Sequence, residues 1–408
     1  MKILLVNKFL YPKGGDTTVT LSTGKLLSEK GHKVIFWGMD HPLNPEYPYK
    51  DYFVSYIDFN KPMNFLQQFR TTLRILYSLE AKKKIEKLIE RERPDIVHLN
   101  NFAHQISPSI LDVFVKYKIP TVMTLHDYKL VCPSYSMLID GKPCEKCRNG
   151  KYFWCFLKKC TKGSYVKSLL NVVEMYLHHK ILHIYDKIDV FISPSMFLKK
   201  KLKEMGFKKE IAYLPYFINA KDYLPKYSFS KKIICYFGRL SKEKGLFTLI
   251  EAMEGTDAKL KIIGDGPIKK DLEEKARKEN LENVSFLGYK SGNELKEEVR
   301  NSMAVVLPSE WYENYPRSIM EAFALGKPVI GTRIGGIPEL VEDNETGLTF
   351  EPGNVEDLRD KIEDLINNPK KISEMGKNAR KFIEKELNPE RHYEELMKIY
   401  QLAMEEHK

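Results

Sequence analysis

Short runs of apolar residues recur along the chain, and each is separated from the next by a segment long enough for a helix. The first half contains KILLVN, KVIFWGM, PDIVHLN, PTVMTLHD and DVFISPS. A second series contains IICYFGR, LKIIGDGP, VSFLGY, MAVVLPS, PVIGTR and GLTF. Continuously apolar runs alternating with helices are typical of parallel strands buried on both faces. The pattern therefore predicts an α/β chain with two doubly wound sheets.

An aromatic, proline-containing stretch at residues 214–230 separates the two series. We predict an N-terminal Rossmann-like domain over 1–215, with a cysteine-rich insert at about 132–160, and a second Rossmann-like domain over 216–385. The amphipathic segment 386–408 is expected to form a closing helix across the domain junction. Ligands of such sheets bind at the carboxyl ends of the strands, so two domains in tandem predict a ligand site in the central cleft.

The positive charge is concentrated in the first half. Residues 1–220 carry 35 Lys and Arg against 20 Asp and Glu, whereas the rest of the chain carries 31 against 35. The segment 151–167 has five lysines, no acid and several aromatic residues. This composition indicates an anionic membrane interface or a lipid-linked diphosphate, with nucleic acid or plain solvation of the lysines as alternatives.

Hydropathy argues against a targeting or spanning segment. The apolar run at the start is too short for a signal peptide, and no run approaches the roughly 18 apolar residues of a membrane span. We therefore expect a cytoplasmic protein, peripheral on the inner face of the membrane.

Charged residues in the second half lie where strands end and helices begin. Arg239 and Lys244 in GRLSKEKG precede a helix, and two cations beside free backbone N–H groups can bind a diphosphate. A solvated surface loop is the alternative.

Gly264 in GDGP allows a close approach to a ligand. In ENYPRSIME, seven residues separate Glu313 from Glu321. Pro316 suits the first helical position, which leaves one acid in the preceding loop and the other inside the helix.

The order GRLSKEKG, IIGDGP, FLGY, ENYPRSIMEAFALG, GTRIGGIPELV and ETGL resembles the donor domain of retaining glycosyltransferase family 4, which has the GT-B fold. The resemblance is strong over about 233–352. It implies that Arg239 and Lys244 hold the diphosphate of a nucleotide-sugar. Glu313 would contact the sugar and Glu321 the ribose, with backbone N–H groups around Asn314 and Tyr315 touching the sugar. The family has Gly where this chain has Pro316, and that departure bears on which sugar is used.

The resemblance extends more loosely to the first domain. Gly14 and Gly15 would form the family's glycine loop, which approaches the donor phosphate and the acceptor. His126, at the end of a strand in TLHD, would contact the sugar and support catalysis, although a lone histidine is more often structural. Asp127 is a weaker candidate, because it can also cap the turn that follows.

The resemblance implies transfer of a sugar from a nucleotide-sugar to a hydroxyl with retention, and no metal is needed because the cations bind the diphosphate. A lipid-linked or polysaccharide acceptor in cell-envelope glycan biosynthesis is expected from the basic first domain. Two alternatives remain. One is a GT-B-like sugar-nucleotide epimerase, and the other is a basic nucleic-acid-binding protein, although no nucleic-acid partner is expected.

Five of the six cysteines are clustered, at Cys132, Cys144, Cys147, Cys155 and Cys160. Clustering with a C-x2-C pair in a cytosolic chain favours metal over disulfides, and the ligand spacing lies within the range for structural zinc. An iron–sulfur cluster and free thiols are the alternatives.

Overall fold

The computed structural model describes residues 1–59, 61 and 64–407, with only the backbone for Phe65. The first sheet is entirely parallel, in the order β2-β1-β3-β4-β7-β8. Its strands are β1 (Lys2–Val6), β2 (Lys33–Trp37), β3 (Ile96–Leu99), β4 (Thr121–Thr124), β7 (Val190–Ser193) and β8 (Ile211–Tyr213). A small hairpin, β5 (Leu138–Ile139) and β6 (Lys142–Pro143), lies in the cysteine-rich insert.

The helices of this first domain cover the sheet or extend from it. They are α1 (Gly15–Glu29), α2 (Phe65–Leu76), α3 (Leu79–Glu92), α4 (Leu111–Lys116), α5 (Phe153–Leu157), α6 (Tyr165–Tyr176) and α7 (Met196–Glu204). Several begin with a side-chain cap of the expected kind: Ser78, Ser164 and Ser195 accept hydrogen bonds from the first turns of α3, α6 and α7.

The second sheet is also parallel, in the order β11-β10-β9-β12-β13-β14. Its strands are β9 (Ile233–Phe237), β10 (Lys259–Ile263), β11 (Val284–Gly288), β12 (Ala304–Leu307), β13 (Val329–Thr332) and β14 (Gly347–Phe350). Its helices are α8 (Leu246–Ala252), α9 (Lys269–Lys278), α10 (Gly292–Arg300), α11 (Arg317–Ala324), α12 (Val355–Asn367) and α13 (Pro369–Glu386). The predicted α/β class with two doubly wound parallel sheets is confirmed.

Each sheet has a point where the strand order reverses. In the first sheet this point lies between β1 and β3, and in the second it lies between β9 and β12. Crevices for ligands form outside the carboxyl ends of the strands at such a reversal. The loops that follow β9 and β12 contain Arg239, Lys244 and Glu313, so the topology brings these separated motifs to one crevice.

The last helix, α14 (Pro389–Glu406), returns to the first domain and packs against β4, β7 and α1. Leu396, Ile399 and Tyr400 join the apolar cluster on that face of the first sheet. The preceding α13 packs against α11 of the second domain. The C-terminal segment therefore links both domains, although Lys408 of the predicted range 386–408 lies outside the described residues.

Two details differ from the sequence analysis. Strand β8 was not predicted, because only three residues of its segment are extended and a run that short carries little apolar signal. Helix α11 begins at Arg317, whereas Pro316 was expected to be its first residue. Pro316 is instead the N-cap, with an extended ψ of 116°. The limits predicted for the domains stay a prediction; the first sheet ends at Tyr213 and the second begins at Ile233.

Over the part of the chain that the structure describes, no helix is both long enough and apolar enough to cross a membrane.

Candidate active site

Glu313 lies in the loop between β12 and α11, and its carboxylate is almost fully enclosed. Its side chain is 8% exposed, and Oε1 accepts hydrogen bonds from Lys244 Nζ at 2.5 Å and Ser309 Oγ at 2.7 Å. Burial alone would raise the pKa of Glu313, but the Lys244 ammonium and these two hydrogen bonds hold it below its ordinary value. The site therefore contains a buried, ionised carboxylate paired with a cation.

Lys244 reaches this carboxylate from the loop after β9. Gly245 follows it with a φ of 65°, a left-handed conformation that favours glycine, and a Cβ there would lie 1.8 Å from the carbonyl oxygen of Pro308. The loop after β9 and the loop after β12 are thus packed backbone to backbone. This contact brings Lys244 and Glu313 together across 69 residues of sequence.

A pair of glycines after β13 supports Glu313 from its other side. A Cβ on Gly335 would lie 2.4 Å from Glu313 O, and one on Gly336 would lie 1.9 Å from Asn314 O. The Gly336 N–H also donates to Glu313 O at 2.8 Å. Because the two glycines of GTRIGGIPELV have no Cβ, the backbone at residues 313–314 can pack directly against them.

Gly264 has a comparable structural reason to be glycine. Its φ is 149°, and a Cβ would lie 1.9 Å from the carbonyl oxygen of Gly238. A side chain at this position would therefore point at the end of β9 rather than into open space. Its role toward a ligand stays a prediction.

Arg239 and Glu321 lie in the segments that follow β9 and β12. Arg239 follows β9 and is exposed, and its carbonyl oxygen accepts a hydrogen bond from Tyr236. Glu321 lies inside α11, where Arg317 Nη2 donates to its Oε1 at 3.3 Å. Burial raises the pKa of Glu321, and the nearby Arg317 only partly offsets it. Glu321 is therefore a largely buried acceptor, 25% exposed, one turn beyond the start of α11.

The glycine loop of the first domain faces the start of α11. Gly14 is the N-cap of α1 and Gly15 is its first residue. A Cβ on Gly15 would lie 3.8 Å from Arg317 Cδ, in ordinary contact across the cleft. Gly15 thus lies beside the first residue of α11, and the role of Gly14 and Gly15 toward a ligand stays a prediction.

His126 follows β4 with both ring nitrogens engaged. Tyr216 Oη donates to Nδ1 at 2.7 Å, and Nε2 donates to Asn100 Oδ1 at 2.9 Å. Burial raises the pKa of Tyr216, so its hydroxyl keeps its proton. Burial lowers the pKa of His126, and the nearby carboxylates of Asp16 and Asp127 only partly oppose it. The imidazole is therefore neutral near pH 7, with its orientation fixed.

This state of His126 has a consequence for the pH dependence of activity. If the neutral imidazole is the working form, activity falls only as the pH drops through the lowered pKa. We therefore expect the acid limb of kcat/KM from His126 to lie below the ordinary histidine value of 6.5. The pH profiles of the wild type and of His126→Asn measure it. A limb at or above pH 6.5 that disappears in His126→Asn would contradict the neutral assignment.

Asn314 and Tyr315 were predicted to contact the sugar through backbone N–H groups, and their side chains join the two domains. Asn314 Oδ1 accepts from Ser195 Oγ at 2.8 Å, and its Nδ2 donates to Leu125 O at 3.1 Å. The Tyr315 ring packs edge-on against Tyr216 at 5.8 Å between centroids. Through Tyr216 this packing reaches His126, so the loop after β12 is connected to the first-domain histidine.

Tyr312, next to Glu313, contacts the cysteine-rich insert. Its Oη donates to Glu145 Oε1 at 2.9 Å, and Lys201 Nζ donates to the same oxygen at 2.8 Å. Tyr128 Oη donates to the carbonyl oxygen of Tyr312 at 3.0 Å. The insert therefore holds one end of the loop that carries Glu313.

We expect Tyr312→Phe to lower kcat by about 3- to 10-fold, because it removes a hydrogen bond to a charged acceptor while keeping the ring. Glu145→Gln should retain most activity, since the amide oxygen can still accept from Tyr312. Steady-state kinetics of both variants check this expectation. The exposed Tyr289 offers a matched Tyr→Phe control in the same domain. Wild-type kcat in Tyr312→Phe would show that this contact does not position Glu313.

The five clustered cysteines, Cys132, Cys144, Cys147, Cys155 and Cys160, line one small cavity. Within the described ranges, however, no group of three or more His, Cys, Asp or Glu side chains is arranged to hold a metal ion. Burial raises the pKa of Cys132, whereas a hydrogen bond with Cys160 lowers the pKa of Cys155 to about 7. No arrangement of ligands among the described residues supports the zinc hypothesis, which stays a prediction. Metal analysis of the purified protein and the stability of Cys144→Ser test it.

Asp127 caps the turn that follows it, since its Oδ1 accepts from Lys129 N at 2.8 Å.

Several residues of the site were not singled out from the sequence. Tyr216 was counted only as part of an aromatic linker, and Ser309 and Arg317 were quoted within motifs without a role. Arg317 lies four residues before Glu321, a spacing that could have indicated the ion pair. The partners of His126 carry no such signal, because Asn100 and Tyr216 are distant in sequence.

Comparison with known proteins covers nearly the whole chain. The sequence model described as Glycosyltransferase Family 4 matches residues 13–222, and the model described as Glycosyl transferases group 1 matches residues 225–382. An uncharacterized glycosyltransferase of Methanocaldococcus jannaschii is 28% identical, over 94% of each chain. The N-acetyl-alpha-D-glucosaminyl L-malate synthase of Bacillus anthracis is 26% identical, over 96% of this chain and 94% of its own. The structure of Anabaena HepE in complex with UDP-glucose has a TM-score of 0.66 at 17% identity, over 98% of this chain and 99% of that chain.

Proposed function

Because the chain belongs to glycosyltransferase family 4 and has the two-domain GT-B fold, we propose that it transfers a sugar from a nucleotide-sugar to an acceptor hydroxyl with retention of configuration. The observation that carries the proposal is the buried Glu313–Lys244 pair at the strand-order reversal of the second sheet. An ionised acid and a cation held together by close backbone packing form a preorganised charge pair. Such preorganisation is what stabilises a developing charge.

Donor binding would use both charged groups and backbone. Arg239 and Lys244 would hold the diphosphate, helped by the free N–H groups at the start of α11. Glu313 would contact the sugar near its reacting carbon, and Glu321 would accept from the ribose hydroxyls. The N–H groups of Asn314 and Tyr315 would touch the sugar. The binding of UDP-glucose by HepE, a protein of the same fold, supports a nucleotide-sugar as donor.

The reaction exchanges one bond at the anomeric carbon for another. The acceptor oxygen forms a bond to that carbon on the face from which the diphosphate departs, and the carbon–phosphate oxygen bond breaks. The acceptor proton passes to the departing diphosphate. Arg239 and Lys244 stabilise the negative charge on the leaving group, and the carboxylate of Glu313 stabilises positive charge on the sugar ring. His126, neutral and oriented by Tyr216, would line the acceptor side.

The acceptor and the location are proposed from the charge of the first domain. We propose a lipid-linked or glycan acceptor in cell-envelope glycan synthesis, with the protein cytoplasmic and peripheral at the inner face of the membrane. The concentration of positive charge in residues 1–220 supports an anionic surface or substrate. One relative joins its sugar to L-malate according to its name, and malate is also an anion.

A thermal-shift screen of nucleotide-sugars tests donor binding. A ligand that binds only the folded state, at about 100 times its Kd, stabilises by about 2.7 kcal/mol. We expect one class of nucleotide-sugar, and its nucleoside diphosphate, to raise the Tm of the wild type. The shift should be lost in Arg239→Ala and kept in Lys385→Ala, which removes an exposed cation from the same domain. No shift with any nucleotide-sugar or nucleoside diphosphate would contradict the proposal.

A further inference from the structure

A large cavity in the first domain opens next to the reaction centre. Its volume is about 630 Å³, and it begins at Asp127, the residue after His126. Its described lining contains five lysines, one carboxylate, that of Asp127, and no arginine or glutamate. The lysines are Lys8, Lys61, Lys129, Lys162 and Lys167. The excess of positive charge in the first half is therefore partly gathered around one cavity.

The lysines of the cavity have different surroundings. Lys129 is 8% exposed and already neutralised, since Nζ lies 2.6 Å from Glu174 Oε2. The ammonium groups of Lys8, Lys162 and Lys167 make no hydrogen bond or ion pair with the residues that the structure describes. Burial lowers the pKa of Lys8, although Asp127 and Asp16 oppose this effect. Lys8 at the inner end and the two exposed lysines at the rim are therefore available to an anionic ligand.

Two of the helices that wall the cavity also present apolar side chains to solvent. Helix α2 contributes Thr72 and Ile75 to the wall, and α6 contributes Leu170 and Asn171. The two helices pack against each other. Their exposed apolar residues, between 44% and 79% exposed, follow helical spacing on each helix: Leu66, Phe69 and Leu73 on α2, and Tyr165, Val166, Leu169 and Val173 on α6. Two adjacent apolar stripes thus flank a cationic cavity.

We propose that this cavity binds the phosphate-bearing head of an acceptor anchored in a membrane, with the apolar stripes of α2 and α6 seated in the lipid interface. The identification of the ligand as the acceptor rests on the proposed glycosyl transfer. The unpaired lysines account for the phosphate, and the position of Asp127 beside His126 would bring the acceptor hydroxyl to the reaction centre. Helices with basic residues on one face and apolar residues on another bind anionic bilayers in this way, whereas a water-soluble anion would give the stripes no role.

Co-sedimentation of the full chain with vesicles tests the proposal. We expect the wild type to bind phosphatidylcholine vesicles containing phosphatidic acid and not vesicles of phosphatidylcholine alone. Lys162→Glu/Lys167→Glu should weaken binding by about tenfold or more, because each lysine near an anionic surface contributes several-fold in affinity. Val166→Ser/Leu169→Ser should weaken it as well. The matched control is Lys83→Glu/Lys87→Glu, which reverses two exposed charges on α3 and should bind like the wild type.

The outcomes separate this inference from the proposed function. Failure of the wild type to bind the vesicles, or equal weakening by the control pair, would overturn the inference even if a nucleotide-sugar still raises the Tm. Release from the vesicles by millimolar glycerol phosphate as readily as by competing vesicles that contain phosphatidic acid would assign the cavity to a soluble anion. That result would also overturn the inference. Vesicle binding without any nucleotide-sugar shift would instead contradict the glycosyl transfer, and with it the identification of the ligand as an acceptor.

Discussion

The Glu313→Gln variant is expected to lower kcat by about 10²- to 10³-fold while the protein stays folded. Glutamine has nearly the same shape and can still accept from Ser309, but it carries no charge to pair with Lys244 or to stabilise positive charge on the sugar. Lys244→Ala is a less clean test. It would leave the carboxylate of Glu313, 8% exposed, without its cation, whereas Glu313→Gln leaves the ammonium of Lys244, which is 19% exposed. Breaking a buried pair costs about 3–5 kcal/mol of folding stability, so the larger loss is expected in Lys244→Ala.

Steady-state kinetics and thermal unfolding of Glu313→Gln check this prediction together. The matched control is Glu351→Gln, which makes the same change at an exposed carboxylate of the second domain that pairs with Arg333. We expect the control to keep wild-type kcat. Wild-type turnover by Glu313→Gln would remove Glu313 from the active site.

The Gly336→Ala variant is expected to reduce both stability and turnover strongly. The added Cβ would lie 1.9 Å from Asn314 O, so the backbone next to Glu313 must move. Overpacking of this kind costs about 1–3 kcal/mol, and a displacement of about 1 Å in a catalytic group can cost about 100-fold in rate. A lower Tm together with a lower kcat, at little change in donor KM, is the expected result.

The control for this variant is Gly255→Ala. Gly255 has a φ of 76° and no atom within 4 Å of a built Cβ, so the substitution adds left-handed strain without a clash. It should lose about 1 kcal/mol of stability and keep wild-type kcat. Equal effects of Gly336→Ala and Gly255→Ala on kcat would show that the glycine pair does not position the loop of Glu313.

The sequence predicts the parts of this molecule that depend on local pattern. The runs that became β1, β9 and β12 are apolar throughout because both faces of a central parallel strand are buried. Gly326 follows the C-cap of α11 with a φ of 71°, the left-handed conformation in which glycine commonly ends a helix. The order of motifs in the second half also predicts that Arg239, Lys244 and Glu313 follow strands, and strand ends meet at one edge of a parallel sheet.

Contacts between distant segments could not be predicted in the same way. The hydrogen bond from Tyr216 to His126 and the contact of Tyr312 with Glu145 each join residues from segments that no local periodicity relates. They depend on how the two domains face each other. The cysteine cluster illustrates the converse: its spacing suggested a metal site, and folding brings all five thiols to one cavity without arranging a ligand set among the described residues.

The central claim is that a sugar passes from a nucleotide-sugar to an acceptor with retained configuration. Proton NMR of the product, formed from the donor that raises the Tm, tests it most directly when run with and without a membrane-anchored phosphate acceptor. The account predicts a new glycoside whose anomeric coupling matches that of the donor, formed only with acceptor and lost in Glu313→Gln. An inverted anomeric centre would contradict it, as would conversion of the donor to an epimeric nucleotide-sugar without acceptor.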